Sequence, residues 1–162
     1  MGKELGMELE KAAKSVEVFY SYHSKDEKLR LQLEKHLSSL KHKKLINSWS
    51  FHMLRPGEER LKAINTHINT ADIILLLVSP DFLASNYCYE IEVKRAIERF
   101  EAGQATVIPI LLRPVNWSGT PFSDLVPLPA GGKSVIEWKI RDNAFSDISL
   151  GIQTAAENIQ EK

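Results

Sequence analysis

Three side chains stand close enough in this sequence to do chemistry together: Cys88, Glu90 and Glu92, in the run Ser85-Asn86-Tyr87-Cys88-Tyr89-Glu90-Ile91-Glu92. A cysteine at a helix start favours its thiolate and can act as a nucleophile. A lone cysteine beside an apolar strand also packs as a small core residue. Glu90 and Glu92 are two apart, so on a helix they point about 200° apart and at most one faces any given cleft. On a wheel centred on Val93 they flank the apolar stripe on opposite sides, and solvated flank charges are the plain alternative for both. The five histidines, His23, His36, His42, His52 and His67, show no paired ligand spacing, so no metal site is expected. No glycine-rich phosphate cradle of a common type is present. A phosphorylated receiver needs acids at the tips of its first and third strands. Those tips here are Tyr20-Ser21-Tyr22 and Val78-Ser79-Pro80, and Asp72 stands at the wrong end.

The elements that must position these residues follow from periodicity. Ile73 to Val78 is a continuous apolar run ending in Ser79-Pro80, which predicts a buried central strand closed by a turn. Tyr89, Val93, Ala96, Ile97 and Phe100 recur at helical spacing after it. The acids therefore leave from the carboxyl end of a central strand, where open α/β sheets bind ligands. Upstream, Val16 to Tyr20 predicts a first strand and Leu29 to Leu40 a helix, which Ser24 or Asp26 is placed to cap. Leu45 to Trp49 predicts a second strand, and Arg55-Pro56-Gly57 a loop. Glu58 to Thr70 predicts a second helix with Leu61, Ile64 and Ile68 inward. Thr106 to Leu112 predicts a fourth strand in which Pro109 requires an edge or an unpaired donor position. After a long irregular loop, Arg113 to Lys133, come a short fifth strand, Ser134 to Trp138, and a last helix, Asn143 to Gln160. This alternation predicts an α/β fold with a flavodoxin-like five-stranded parallel sheet, order 2-1-3-4-5, and helices on both faces.

The 162 residues suit one domain, 15–162, after a polar lead-in over 1–14 that lacks the apolar core of a signal peptide. Lys plus Arg and Asp plus Glu both number 21, so no global charge draws the chain to nucleic acid or anionic membrane. No apolar run is long enough to span a bilayer. A single cysteine excludes an internal disulfide, and a cytoplasmic location is the expectation.

Taken in order, Val18-Phe19-Tyr20-Ser21-Tyr22, Ser24-Lys25-Asp26-Glu27, Trp49, Pro56-Gly57, Ala71-Asp72-Ile73, Ser79-Pro80-Asp81-Phe82-Leu83, Ser85-Asn86-Tyr87-Cys88, Val107-Ile108-Pro109-Ile110, Arg113-Pro114 and Trp117 resemble a Toll/interleukin receptor (TIR) domain of the bacterial and cyanobacterial type. Each piece is weak alone; the ordered set is specific and spans nearly the whole chain from Val16. The resemblance implies two functional classes. Many TIR domains are scaffolds that assemble through the BB loop, here Ser50 to Gly57, and neighbouring helices, with themselves or with other TIR domains. Others hydrolyse NAD to nicotinamide and ADP-ribose or a cyclised isomer, and bacterial members commonly serve in antiphage defence. In the enzymes, a glutamate on the helix after the third strand binds the ribose and stabilises oxocarbenium-like charge. NAD is then substrate, and no cofactor is implied. That glutamate commonly precedes a small residue by four, which selects Glu92 before Ala96, with Glu90 in reserve. The family's pocket maps onto Tyr20, Ser21, Tyr22 and Ser24 after the first strand, Trp49 and Arg55 of the BB region, and Cys88. Tyr22 or Trp49 is expected to stack on a base, Ser21 and Ser24 to donate to oxygens, and Arg55 to meet a pyrophosphate. Two positions depart from the pattern: Phe51, where an acid is usual, and Arg60, where an aromatic is frequent.

Overall fold

The structure is a computed structural model that describes residues 14–162; the lead-in expected before them lies outside the described residues. The organising element is β3 (Ile73–Val78), every residue of which is buried. It pairs in parallel with β1 (Val16–Ser21) and β4 (Thr106–Leu111), and β1 pairs with β2 (Ile46–Trp49). Because successive strand residues face opposite sides, β3 feeds two cores. Ile73, Leu75 and Leu77 pack with Val18, Leu33, Ile148 and Ile152 under α1 (Glu27–His36), α2 (Ser38–His42) and α6 (Arg141–Gln160). Ile74, Leu76 and Val78 pack with Phe19, Ile64, Phe82, Val93 and Ala96 under α3 (Arg60–Thr70), α4 (Pro80–Ala84) and α5 (Lys94–Glu101). The parallel sheet covered on both faces is as expected from the alternation of elements.

The strand count is corrected. Among the described residues the sheet has four strands, order β2-β1-β3-β4, and the expected fifth strand is a 3-10 turn, Val135–Glu137, closed by a capping box between Ser134 and Glu137. Pro109 supplies the reason. Thr106 and Leu112 donate toward β3, to Asp72 and Val78, so by the two-residue alternation the Pro109 nitrogen faces the outer edge. A fifth strand would need that missing donor. The outer edge instead accepts one bridge: Leu111 donates to the Leu128 carbonyl at 2.8 Å and Leu128 donates to that of Pro109 at 2.9 Å.

Smaller corrections follow burial. Leu61 is 65% exposed rather than inward, and Phe100 is also exposed. Neither Ser24 nor Asp26 caps α1; the first turn, Ser24–Asp26, is capped by the His23 ring, whose Nδ1 accepts from the Lys25 N–H at 3.1 Å. Asp26 is 2% exposed and holds the ends of other elements together. It accepts from Ser79 Oγ and from Arg113 Nε at 2.8 Å, while Arg113 also pairs with Asp81. This pins the start of the long loop to the carboxyl end of β3.

Candidate functional site

The single helix expected after β3 is broken, and the break builds the site. Ser79 caps α4 by accepting from Phe82 N–H at 3.1 Å, with Pro80 at its first position. After Ala84 the chain restarts at Ser85, whose Oγ accepts from Cys88 N–H at 3.2 Å. A π-helical stretch, Cys88–Val93, then runs into α5. A π turn holds an extra residue, so wheel arithmetic at 3.6 residues per turn does not carry across it; such turns occur frequently at functional sites. Its outcome separates the two acids. Glu92 is 4% exposed, whereas Glu90 is exposed and lines a different groove, beside Lys94.

Glu92 Oε1 accepts a 2.6 Å hydrogen bond from Ser21 Oγ, at the carboxyl end of β1. Burial pushes the carboxyl up to about 7, and the Ser21 hydroxyl, the nearby Tyr87 phenol and the Arg60 charge pull the other way. The carboxyl group therefore titrates near neutrality, in reach of a cleft of about 220 Å³ that it lines with Tyr22, His23, Ser24, Ser85 and Cys88. Glu92, Tyr87 and Ile64 also line a larger, mostly apolar groove of about 680 Å³ between α3 and the π turn. Glu92 thus stands where the two spaces meet. Among the described residues no cluster of three His, Cys, Asp or Glu side chains is placed to hold a metal ion.

Of the residues singled out from the sequence, Ser21, Tyr22, Ser24, Cys88 and Glu92 come together at this cleft. Three do not. Tyr20 is buried in the core under the Arg30 guanidinium. Trp49 stacks with Phe19, at 5.6 Å between centroids, and with His67, at 4.2 Å, and does not line the cleft. Arg55 is exposed and paired with Glu58 at 3.1 Å. Tyr22 reaches the cleft, but its ring is already stacked, on Phe51 at 4.7 Å and under Arg30 at 5.6 Å, and its hydroxyl donates to Glu27. Cys88 is buried, its thiol donates to the Tyr22 carbonyl at 3.8 Å, and burial pushes it up to about 11. It stays protonated at neutral pH, which disfavours the nucleophile reading. Six cleft residues were not assigned to the site from the sequence: His23, Phe51, Arg60, Ile64, Ser85 and Tyr87. Ser85 carried a usable signal, a serine three residues before Cys88 at a helix start; the others are brought in by the tertiary fold.

The matching family model is that of the TIR domain, over residues 18–144. The chain belongs to the TIR-domain family. An uncharacterised protein of Sinorhizobium fredii, y4lF, is 49% identical over 139 residues, covering 86% of this chain and 43% of that protein. The chain therefore spans less than half the length of that relative. Among solved structures, the TIR domain of the Toll-related receptor TRR-2 from Hydra magnipapillata is similar with a TM-score of 0.48 at 21% identity, covering 60% of this chain and 71% of that one.

Proposed function

We propose that this TIR domain is an NAD glycohydrolase in which Glu92 binds the ribose of the nicotinamide nucleoside. The observation that carries this reading is the buried Glu92 carboxyl, held by Ser21 at 2.6 Å and shared between a small cleft and a larger groove. In the reaction the ribose C1′–nitrogen bond breaks and its electron pair leaves with nicotinamide, which becomes neutral. The ribosyl centre is left with oxocarbenium-like positive charge. The ionised Glu92 carboxylate stabilises that charge in a site poor in water, and Ser21 fixes which way the carboxylate points. Water then adds at C1′ and loses a proton to solvent, giving ADP-ribose; attack by an adenine nitrogen instead gives a cyclic isomer. A carboxyl group with its midpoint at about 7 becomes the ionised partner when a cationic pyridinium ribose approaches. The small cleft alone lies below the roughly 300–1,000 Å³ usual for ligand pockets. The adjoining groove adds the length a dinucleotide needs.

The test is NAD loss with product identification at high protein concentration or on a crowding surface, comparing wild type, Glu92→Ala and Glu90→Ala. The expected result is a loss of at least roughly 100-fold in Glu92→Ala alone. Wild type that leaves NAD intact even when clustered would refute the proposal.

A second reading, a scaffold that only self-associates, is favoured by the apolar surface beside the site. Leu61 and Ile91 are exposed along the larger groove, and Met53 is exposed in the BB loop, Ser50 to Gly57. The two readings are compatible if assembly through this surface activates the site. We place such a protein in the bacterial cytoplasm, in antiphage signalling. A relative from a bacterium supports the bacterial setting, and no helix among the described residues is long and apolar enough to cross a membrane.

A further inference from the structure

The two positions that depart from the family pattern, Phe51 and Arg60, touch each other. The Arg60 guanidinium lies over the Phe51 ring at 5.4 Å, Phe51 stacks on Tyr22 at 4.7 Å, and Arg30 covers the other side of Tyr22 at 5.6 Å. The result is a column of two aromatic rings with a guanidinium at each end. Its ends are chemically unequal. Arg30 is buried and saturated, pairing with Glu27 and Glu34 at 2.6 Å each. Arg60 is exposed at the rim of the Glu92 cleft, and among the described residues no carboxylate oxygen lies within 4.0 Å of it.

We propose that Arg60 binds the diphosphate of a nucleoside-diphosphate ligand whose ribose lies at Glu92. This rests on the functional reading above for the ribose, and adds the group that recognises the rest of the molecule. A guanidinium presents five donors in a planar fork that matches phosphate oxygens, and stacking on an aromatic face holds that fork in place. The remaining polar groups of the cleft favour the same ligand. His23 accepts the Lys25 N–H at Nδ1, which leaves Nε2 as the proton-bearing nitrogen of the neutral ring. Ser24 adds a hydroxyl. Arg60, His23 and Ser24 thus offer donors around the cleft, and the acid sits deep, where a sugar hydroxyl meets it, while the cation sits at the rim. The charge of Arg60 is also felt at Glu92, where it favours the ionised carboxylate.

Binding of ADP-ribose, which has no glycosidic bond to nicotinamide left to cleave, separates recognition from catalysis. Calorimetric titrations would compare wild type, Arg60→Met and Arg60→Lys, with adenosine as the ligand that lacks phosphate. Arg60→Met should weaken ADP-ribose binding by roughly 10- to 100-fold, the range of a charge-assisted hydrogen-bonded contact, with adenosine unchanged. Arg60→Lys should fall between, since it keeps the charge and loses the fork. Equal ADP-ribose affinity in wild type and Arg60→Met, or an equal loss on adenosine, would overturn the proposal; the second outcome would assign Arg60 to holding Phe51. No ADP-ribose binding by wild type overturns it as well. NAD turnover, measured in parallel, judges the glycohydrolase reading separately. Turnover with Arg60-independent binding sinks this inference alone, and Arg60-dependent binding without turnover sinks the enzyme alone.

Discussion

Glu92 ties the stability of this domain to pH in a direction opposite to that of most carboxylates. Its folded-state midpoint is about 7 against an ordinary value of 4.5. The folded protein therefore holds a proton on Glu92 that the unfolded chain has released. The associated stability is fully present below about pH 4.5 and is lost as pH rises to about 7, after which both states are ionised and the loss is constant. A displacement of between two and three pKa units corresponds to about 3 kcal/mol at about 1.4 kcal/mol per unit. Between about pH 5 and about pH 8 most of this, about 2–3 kcal/mol, is expressed. Glu92→Gln removes the titration while leaving a carbonyl oxygen to accept from Ser21, so its stability lacks this component. Urea unfolding of both proteins by circular dichroism at the two pH values isolates the effect, because other titrating groups cancel in the difference. The glutamine variant should gain about 2–3 kcal/mol on wild type as pH rises across this window. A gap that does not change with pH would mean that Glu92 is ionised throughout in the folded protein. The account of its environment as buried and poorly solvated would then be wrong.

Two further outcomes follow from the same surroundings. Cys88, buried and pushed up to about 11, should react with a thiol reagent at neutral pH at least ~100-fold more slowly in the native protein than in denaturant; comparable rates would place it in an open, electropositive setting. Arg30→Met should destabilise the domain by roughly 2–4 kcal/mol in urea unfolding, since it removes the guanidinium that pairs with both Glu27 and Glu34 at 2.6 Å and the face on which Tyr22 rests. Burial raises both glutamates, but the hydrogen bonds from Arg30, with Tyr22 on Glu27 and Lys41 on Glu34, and the Arg30 charge together outweigh it and hold them below the usual carboxylate range. Their contribution is present above the ordinary value and lost as pH falls through the folded one. Arg30→Met should therefore unfold in acid at a higher pH than wild type, and an unchanged acid midpoint would show that the ion pairs carry no linkage.

Much of the fold was legible because it is written in local patterns. Ile73 to Val78 could only be a strand buried on both faces, and the residues of β3 do divide between two cores. Pro109 announced a ladder position without a donor, yet only the observed hydrogen bonds of Thr106 and Leu112 show that the gap faces the outer edge. The apolar run Val135-Ile136 reads as a strand in isolation. It is a turn here because the neighbouring edge cannot pair with it along its length.

The site divides along the same line. Residue types around Cys88 to Glu92 pointed to an acid facing a crevice, but the π turn shifts helical phase in a way no regular wheel contains. Trp49 and Tyr22 had the rings to stack on a base, and the fold spends both on Phe19, His67 and Phe51. Ser21 and Glu92 are 71 positions apart and meet only because β1 and β3 lie side by side. By itself the sequence determined the order of elements, the apolar faces and the family, since each rests on neighbours along the chain or on ordered motifs. Tertiary structure decided which acid is buried, which aromatics are already occupied and that Arg60 stands over Phe51, because burial and charge at a site come from residues that the sheet brings together.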